Sequence, residues 1–162
     1  MKTQRWDLFC KVIDNYGDIG ICWRLARQLR DEYALNVRLW VDDLSVASRL
    51  IHGFNPSSKS QIANGVEICL WGNDENFADI LPADVVIEAF ACDLPQPYIQ
   101  NMAKTKPVWL NLEYLSAEKW VDDFHAQQSI HPATGLKKNF FFPGFTGKTG
   151  GLLRERHLSS SR

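Results

Sequence analysis

The sequence predicts one α/β domain in which a mostly parallel sheet carries helices on both faces. Segments rich in β-branched and aromatic residues alternate along the chain with segments of helical spacing, as in parallel strands joined by crossover helices. Several strand segments are apolar at consecutive positions, which is typical of strands covered on both sides. The length of 162 residues and the hydrophobic content of 45% suit one domain with its own core.

The first unit is a predicted strand, turn and helix. The strand covers 7–13 (DLFCKVI), the turn has the sequence DNYGDIG, and helical spacing runs over 21–33 with Ile21 and Leu25 on one apolar face. We expect Asp18 to cap this helix, because its carboxylate can accept hydrogen bonds from the first backbone N–H groups.

Four further strands follow, each with the β-rich composition of the first. They cover 36–41, 66–71, 84–89 and 107–112. Helices are predicted at 44–51 and 95–105, the second of them begun by prolines. Beyond Leu115 the pattern is less regular, and we expect a capped helix at 116–125 followed mainly by loop.

The end of the sequence differs in composition from the rest. Phe140, Phe141 and Phe142 precede a turn rich in proline and glycine, which is typical of a lid, a domain junction or an interface. We expect residues 1–150 to form the domain, and 151–162 to be a frayed tail or the start of an interdomain segment.

The net charge and the lengths of the apolar runs restrict the class of protein to which the chain can belong. The formal net charge is -1, so no overall electrostatic argument favours nucleic acid or an anionic membrane as a partner. No apolar run approaches the roughly 20 residues that span a bilayer, and the first residues lack the apolar stretch of a secretory signal. We therefore expect a cytoplasmic protein with no membrane partner and no direct contact to nucleic acid.

Cysteines and tryptophans are expected to be structural. The four cysteines are widely spaced, without a CxxC pair, and are predicted to be buried thiols, with no metal site. Trp40, Trp71 and Trp109 lie within or at the end of predicted strands. We expect them at contacts between layers or at the rim of a pocket.

Acidic residues follow four of the five predicted strands. In an open parallel sheet, ligands bind beyond the carboxyl ends of the strands, so these acids meet at the edge where a site is expected. Capping and turn formation can explain each acid singly, but a rim of carboxylates also suits a guanidinium, which pairs with them through two parallel hydrogen bonds. The acids are Asp14, Asp18, Asp42, Asp43, Glu88, Asp93 and Glu113.

Two glycine-rich segments invite comparison with phosphate-binding motifs. Gly17 and Gly20 stand just ahead of the predicted first helix, where phosphate can approach the backbone, but the segment is not GxGxxG and equally suits an ordinary turn. The segment GFTGKTGG fails the P-loop pattern, because Phe142 stands where the first glycine is required. No GxSxG nucleophile motif is present.

Several long strings, taken together, resemble a known family. They are similar to the N-terminal half of the elongation factor P arginine rhamnosyltransferases, with the match running from about Trp6 to Glu155. The strings include WDLFCKVIDNYGDIGICWRLARQL, LWVDD, DVVIEAFACDLP, PVWLNLEYLSAEKWV and SIHPATGLKKNFFFPGFT.

The resemblance implies a GT-B glycosyltransferase, in which two Rossmann-like domains face each other across a cleft. It implies dTDP-β-L-rhamnose as donor, an arginine of elongation factor P as acceptor, inversion at the anomeric carbon, and no cofactor or metal. In such enzymes the N-terminal domain faces the acceptor and the C-terminal domain holds most of the donor. We therefore expect this chain to supply the acceptor side, and to show little or no transfer without a second domain.

The resemblance also implies roles for the DNYGDIG segment. Its two acids, Asp14 and Asp18, are implicated in catalysis, and chemistry supplies a reason. Arginine is protonated at neutral pH and is a poor nucleophile, so a carboxylate must orient one nitrogen and accept its proton. We assign Asp18 as the general base and Asp14 as the residue that orients the guanidinium with it.

Binding residues are assigned beside these acids. Gly17 and Gly20, with Asn15 and Tyr16, are expected to let the rhamnose and diphosphate of the donor approach. Acceptor contacts are assigned from their position on strand-end loops, where polar side chains can hydrogen bond a basic loop. These are Glu88, Asn111, Glu113 and Tyr114.

Two other functions remain open from the sequence. The chain can be a truncated, non-catalytic module that binds a basic protein loop without transferring sugar. It can also be a different nucleotide-binding α/β protein, such as an oxidoreductase, although the lack of GxGxxG after the first strand speaks against this class.

Overall fold

The computed structural model describes residues 4–11, 16–71, 77–90, 92–113 and 127–141, and for Tyr16 and Gly17 only the backbone. Eight strands, three α-helices and a short 3-10 helix make up this part of the chain. Their order is β1 (Arg5–Cys10), α1 (Tyr16–Tyr33), β2 (Asn36–Val41), α2 (Leu44–Leu50), β3 (Ser60–Ala63), β4 (Val66–Leu70), the 3-10 helix (Phe77–Asp79), β5 (Val85–Ala89), α3 (Gln96–Thr105), β6 (Val108–Leu112), β7 (Gln128–Ile130) and β8 (Lys137–Phe141).

All eight strands belong to one sheet, in the order β3-β4-β2-β1-β5-β6-β8-β7. The pairings of β1 with β2 and β5, of β2 with β4, of β5 with β6 and of β6 with β8 are parallel. The predicted parallel α/β fold is therefore confirmed, with all five predicted strands present. The first strand starts earlier than predicted, because Arg5 already pairs with Asn36, and it ends at Cys10 rather than continuing to Ile13.

An antiparallel strand, β3, was not predicted from the sequence. It pairs with β4 through a two-residue turn, with Ala63 opposite Val66. The turn residues Asn64 and Gly65 both have left-handed backbones, with φ of 51° and 80°. An Asn-Gly pair between two strands is the strongest short-range hairpin signal, so this element was predictable.

The segment expected to be mainly loop contains two more strands. β8 adds to the sheet in parallel beside β6, and β7 pairs with it antiparallel. The prediction was wrong here because Lys137, Lys138 and Asn139 break the apolar pattern that marks a central strand. Backbone pairing with β6 holds this polar segment in the sheet all the same.

Helices cover both faces of the sheet, as predicted. One core cluster packs α1 and α2 against residues such as Leu8 and Cys10, and the other packs α3 and the 3-10 helix against Phe9. Successive residues of a strand point to opposite faces, so the clusters lie on the two sides. The second is rich in aromatic rings: Phe9, Trp40, Trp71, Phe77, Tyr98 and Trp109.

The predicted burial of the tryptophans and of the cysteine thiols is confirmed. Trp40, Trp71 and Trp109 are buried between the sheet and its covering layer. All four cysteines are buried and unpaired.

Two of the predicted helices match the structure, whereas the helix after β1 begins earlier than predicted. The segments at 44–51 and 95–105 correspond to α2 and α3. α1 starts at Tyr16 rather than at residue 21, which brings most of the DNYGDIG segment into the helix. The predicted helix at 116–125 and the glycine-rich 142–150 lie outside the described residues.

None of the described helices is both long and apolar enough to cross a bilayer.

A buried carboxylate ties the amino-terminal half of the sheet together. Asp7 is 1% exposed and accepts hydrogen bonds from Arg38 Nε and Nη2 at 2.6 and 2.8 Å and from the Tyr98 hydroxyl at 2.5 Å. The backbone N–H of Ala83 also donates to it, at 3.2 Å. Burial and the Asp7 charge raise the pKa of Tyr98, so the phenol stays a donor.

Candidate active site

The strand order predicts a ligand-binding crevice beyond the carboxyl ends of β1 and β5. These two strands are neighbours, yet the chain leaves β1 towards α1 on one face and leaves β5 towards α3 on the other. In an open parallel sheet, this reversal parts the two connecting loops beyond the carboxyl ends of the strands, where ligands bind. The described parts of the segment DNYGDIG, after β1, and of the segment FACDLP, after β5, flank this position.

The DNYGDIG segment enters α1 directly. Asp14 and Asn15 lie outside the described residues, and only the backbone of Tyr16 and Gly17 is described. Asp18 is the third residue of the helix, so its prediction as N-cap is wrong: a cap residue precedes the first helical residue and has a non-helical backbone. Its carboxylate still lies in the first turn, where the helix dipole favours negative charge.

Gly17 and Gly20 lie inside α1, not ahead of it as predicted. Among the described residues, a Cβ built on Gly20 would meet no atom within 4 Å. Glycine is unfavourable inside a helix by about 1 kcal/mol relative to alanine. Packing within the described residues therefore does not require a glycine here, and there is open space beside it.

Asp18 is close to a group of buried thiols. It is 7% exposed, whereas Cys10 and Cys22 are fully buried. The pKa of the Cys22 thiol is raised by its hydrogen bond with Cys10, by burial and by negative groups that include Asp18. The Cys22 thiol therefore stays neutral at pH 7.

Two side chains hold the end of β1 in place ahead of the DNYGDIG segment. Trp71 Nε1 donates to the carbonyl oxygen of Cys10 at 3.1 Å, and Cys92 Sγ donates to that of Phe9 at 3.6 Å. The sequence predicted Trp71 at a layer contact or a pocket rim, but it contained no signal for these bonds, which join residues more than 60 positions apart.

The acids after β2 differ in their roles. Asp43 is the N-cap of α2: its Oδ1 accepts from the Ser45 hydroxyl at 2.6 Å and from the N–H groups of Ser45 and Val46 at 3.0 and 3.4 Å. The Ser45 hydroxyl hydrogen bond lowers the pKa of Asp43, with help from both backbone N–H groups. Asp43 is thus explained by helix capping, which was one of the two possibilities that the sequence left open. Asp42, the residue before it, is half-buried.

Glu88 lies inside β5 and is 1% exposed, so its predicted place on a strand-end loop is wrong. Its Oε1 accepts from Trp109 Nε1 and from Lys138 Nζ, both at 3.3 Å. Its Oε2 accepts the backbone N–H of Asp93 at 3.1 Å. The prediction was wrong because Glu88 stands one residue before the end of β5. Its side chain there accepts a hydrogen bond from the backbone of the segment that follows the strand.

Asn111 is also inside a strand and fully buried, which corrects its predicted loop position. It pairs with Glu88 in the β5–β6 register, and its Nδ2 donates to Glu113 Oε1 at 2.5 Å. Glu113 is half-buried just past the end of β6, and Tyr114 lies outside the described residues. Of the four predicted acceptor contacts, Glu113 is thus the one that the structure places at the end of a strand.

Lys138 was missed by sequence reasoning. Its Nζ lies 5.0 Å from the centre of the Trp109 ring, on the same side of the sheet as Glu88. The alternation of side chains along β8 would have signalled this face, had that strand been predicted. Among the described residues, no three His, Cys, Asp or Glu side chains are grouped so as to hold a metal ion.

Comparison with known proteins adds sequence similarity across almost the whole chain. A family model described as "Elongation-Factor P (EF-P) rhamnosyltransferase EarP" matches residues 6–162. Proteins named protein-arginine rhamnosyltransferase are similar as well. The one from Pseudomonas putida is 53% identical over 159 residues, which are 97% of this chain and 41% of the relative. The one from Pseudomonas aeruginosa is 52% identical over 159 residues, 97% of this chain and 42% of the relative.

A relative of lower identity carries the same name. The protein from Neisseria meningitidis serogroup B is 45% identical over 150 residues, covering 92% of this chain and 38% of the relative. The chain thus spans about two fifths of the length of the curated relatives that it matches.

Proposed function

Since this chain belongs to the family of elongation factor P rhamnosyltransferases, we propose that it forms the acceptor side of an enzyme that transfers L-rhamnose to a protein arginine. The observation that carries the proposal is the match of residues 6–162 to the family model, together with 53% identity to a protein-arginine rhamnosyltransferase. The substrates are dTDP-β-L-rhamnose as donor and an arginine of elongation factor P as acceptor.

The share of the relatives that is matched, about two fifths, supports an enzyme of two parts. Residues 1–150 form one Rossmann-like half of a GT-B enzyme, and a second half holds most of the donor. The four buried, unpaired thiols suit a reducing compartment such as the cytoplasm.

The reaction forms a bond from a guanidinium nitrogen to C1 of rhamnose while the bond from C1 to the diphosphate oxygen breaks. dTDP leaves with that electron pair, and attack from the opposite side inverts the configuration at C1. The nitrogen must lose a proton as the bond forms, because a protonated guanidinium is a poor nucleophile. We assign that proton to the carboxylate of Asp18, and the orientation of the guanidinium to Asp14.

The environment of Asp18 suits this role. A carboxylate that is 7% exposed interacts with an incoming cation more strongly than one in bulk water, since the effective dielectric is lower. Its place beyond β1, at the crevice, agrees with the general position of ligands in open α/β sheets. Glu113 would then face the basic loop of the acceptor.

A binding experiment tests the acceptor side. The chain is titrated with elongation factor P and with its variant in which the modified arginine is alanine. We expect saturable binding of the first and weaker binding of the second, because the carboxylates lose their guanidinium partner. Equal failure of a folded chain to bind either protein would contradict the proposal. Binding without any gain of a deoxyhexose in the intact mass, on addition of dTDP-rhamnose, would identify a binding module instead.

Catalysis is tested with Asp18→Asn in a polypeptide of full length, in which this chain is followed by the C-terminal part of the Pseudomonas putida relative. We expect unchanged folding and loss of transfer, by a factor of about 10² or more, as for removal of a general base. The matched control is Asp43→Asn, the same change at the next strand end, where asparagine caps a helix as well as aspartate does. Transfer by Asp18→Asn at the parent rate would remove the assignment of the base.

The donor role of the glycines is tested with Gly20→Ala in the same polypeptide. Alanine should stabilise α1 by about 1 kcal/mol, since its Cβ meets no described atom within 4 Å. If the open space receives the donor, the KM for dTDP-rhamnose rises although the protein is more stable. A more stable protein with an unchanged KM would show that Gly20 does not border the donor.

A further inference from the structure

The segment that follows β5 has an unusual backbone. Phe90 and Asp93 have φ of 55° and 63°, and neither is glycine. A left-handed backbone is unfavourable for residues with a Cβ, least so for Asp and Asn. Such a conformation persists only where surrounding contacts determine it.

Those contacts are present in this segment. The backbone N–H of Phe90 donates to the Leu112 carbonyl at 2.6 Å, and the N–H of Asp93 donates to Glu88 Oε2 at 3.1 Å. Cys92 and Leu94 are buried on either side of Asp93. The side chain of Asp93 is exposed, so its backbone is fixed although its carboxylate faces solvent.

Glu88 is the centre of this arrangement. Its other oxygen is engaged by Trp109 of β6 and Lys138 of β8, so one buried carboxylate links three strands to the segment after β5. A buried ion pair is weak evidence for a role in stability, because apolar side chains of similar volume often serve as well. An apolar residue could not accept the N–H of Asp93, however.

We propose that Glu88 is a positioning residue, which holds the backbone at Asp93 in the left-handed shape that forms the β5 wall of the acceptor-binding crevice. The inference rests on the proposed function, because it concerns the same crevice. It differs from the expectation drawn from the sequence, since Glu88 acts from beneath the segment and does not touch the acceptor.

A pair of substitutions at the exposed Asp93 tests the shape without disturbing the core. Both Asp93→Gly and Asp93→Val remove the carboxylate, but glycine adopts the left-handed backbone freely and β-branched valine does not. We expect Asp93→Gly to bind elongation factor P more tightly than Asp93→Val does, whatever both variants lose with the carboxylate. Asp93→Val should bind about tenfold more weakly, because the segment must be ordered again on binding. Equal affinities of the two variants, whether high or low, would overturn the proposal.

Glu88→Gln tests the anchor itself, because the amide has a single acceptor oxygen, for which Trp109 and Lys138 compete with the N–H of Asp93. Asp7→Asn is the matched control. Asp7 is an equally buried carboxylate on the same face of the neighbouring strand, but it lies in the amino-terminal half of the sheet. Both changes should lower the unfolding temperature, and Glu88→Gln alone should weaken binding. Adding Asp93→Gly to Glu88→Gln should restore affinity without restoring stability.

The outcomes separate the two proposals. If the parent chain fails to bind elongation factor P, the proposed function fails first. If the parent binds and Glu88→Gln loses no more affinity than Asp7→Asn, Glu88 is structural only and the inference is wrong.

Discussion

At the scale of single residues, burial and hydrogen bonding separate carboxylates that look alike in the sequence. Asp43 is exposed and caps α2, whereas Asp18 is 7% exposed in the first turn of α1. Glu88 and Asp7 are fully buried and paired with cations. Four acids thus have three kinds of environment, and of these four only Asp18 combines slight exposure with a place at the crevice.

Asp43 should make stability depend on pH in the acid range. Its pKa in the folded protein lies below the ordinary value of 3.8, so the charged cap stabilises the protein above that pH and the contribution is lost as the pH falls through the folded pKa. Asp43→Ala should lower the free energy of unfolding by about 1 kcal/mol at pH 7, and by less at pH 3. Urea denaturation at both pH values measures this. An equal loss at the two would show that the charge plays no part.

At the scale of elements, backbone conformation at the ends of helices and strands sets where each one stops. α3 ends at Thr105 and is capped by Lys106, which has a left-handed backbone with φ of 53° and donates its N–H to the Met102 carbonyl at 2.7 Å. Helices commonly end on a glycine in this conformation. The Asn64-Gly65 turn likewise sets the register of β3 on β4. Local sequence therefore explains the Asn64-Gly65 turn directly. At the end of α3, lysine stands where glycine is usual.

Lys106→Gly should stabilise the protein. Glycine removes the strain of a left-handed backbone, and the gain is partly offset by its greater freedom in the unfolded chain, so we expect an increase of about 0.5–1 kcal/mol in the free energy of unfolding. Lys104→Gly, two residues earlier and inside α3, should instead cost up to about 1 kcal/mol. Thermal melts of both variants give the comparison, and a fall in stability for each would contradict the proposed strain at Lys106.

At the scale of the whole molecule, the Asp7 cluster and the proposed site lie at opposite ends of the sheet. The Asp7 cluster joins β1, β2, α3 and the segment before β5 at the amino-terminal half. The crevice lies beyond the carboxyl ends of the same strands. Changes in the Asp7 cluster should therefore alter folding stability with little effect on binding.

Arg38→Met should test this separation. It leaves the Asp7 carboxylate without its bidentate partner, and we expect a loss of about 2–4 kcal/mol in the free energy of unfolding, moderated because Arg38 keeps 22% exposure. Arg27→Met, at an exposed arginine of α1, should cost less than about 1 kcal/mol. Chemical denaturation measures both, and affinity for elongation factor P should be unchanged in the folded Arg38 variant.

The sequence by itself determined the parallel α/β fold, the five central strands and the segments from which a site is built. Strong hydrophobic periodicity and the Asn-Gly turn signal are properties of short segments. They can be read without knowing which distant parts of the chain are in contact. The resemblance to the family is also evident from the sequence, because it rests on long ordered strings of residues. β8 escaped prediction because pairing with β6, and not its own composition, makes it a strand.

Only the tertiary structure decided which polar side chains face the crevice and which lie under it. Glu88 and Asn111 stand one residue before the ends of their strands, and their partners come from segments as far as 50 residues away. A pattern of acids along a chain shows where strands end, but burial and hydrogen-bond partners arise only when the strands are side by side. That is why the edge of the sheet was predictable, whereas the division of its carboxylates between anchors, caps and the candidate base was not.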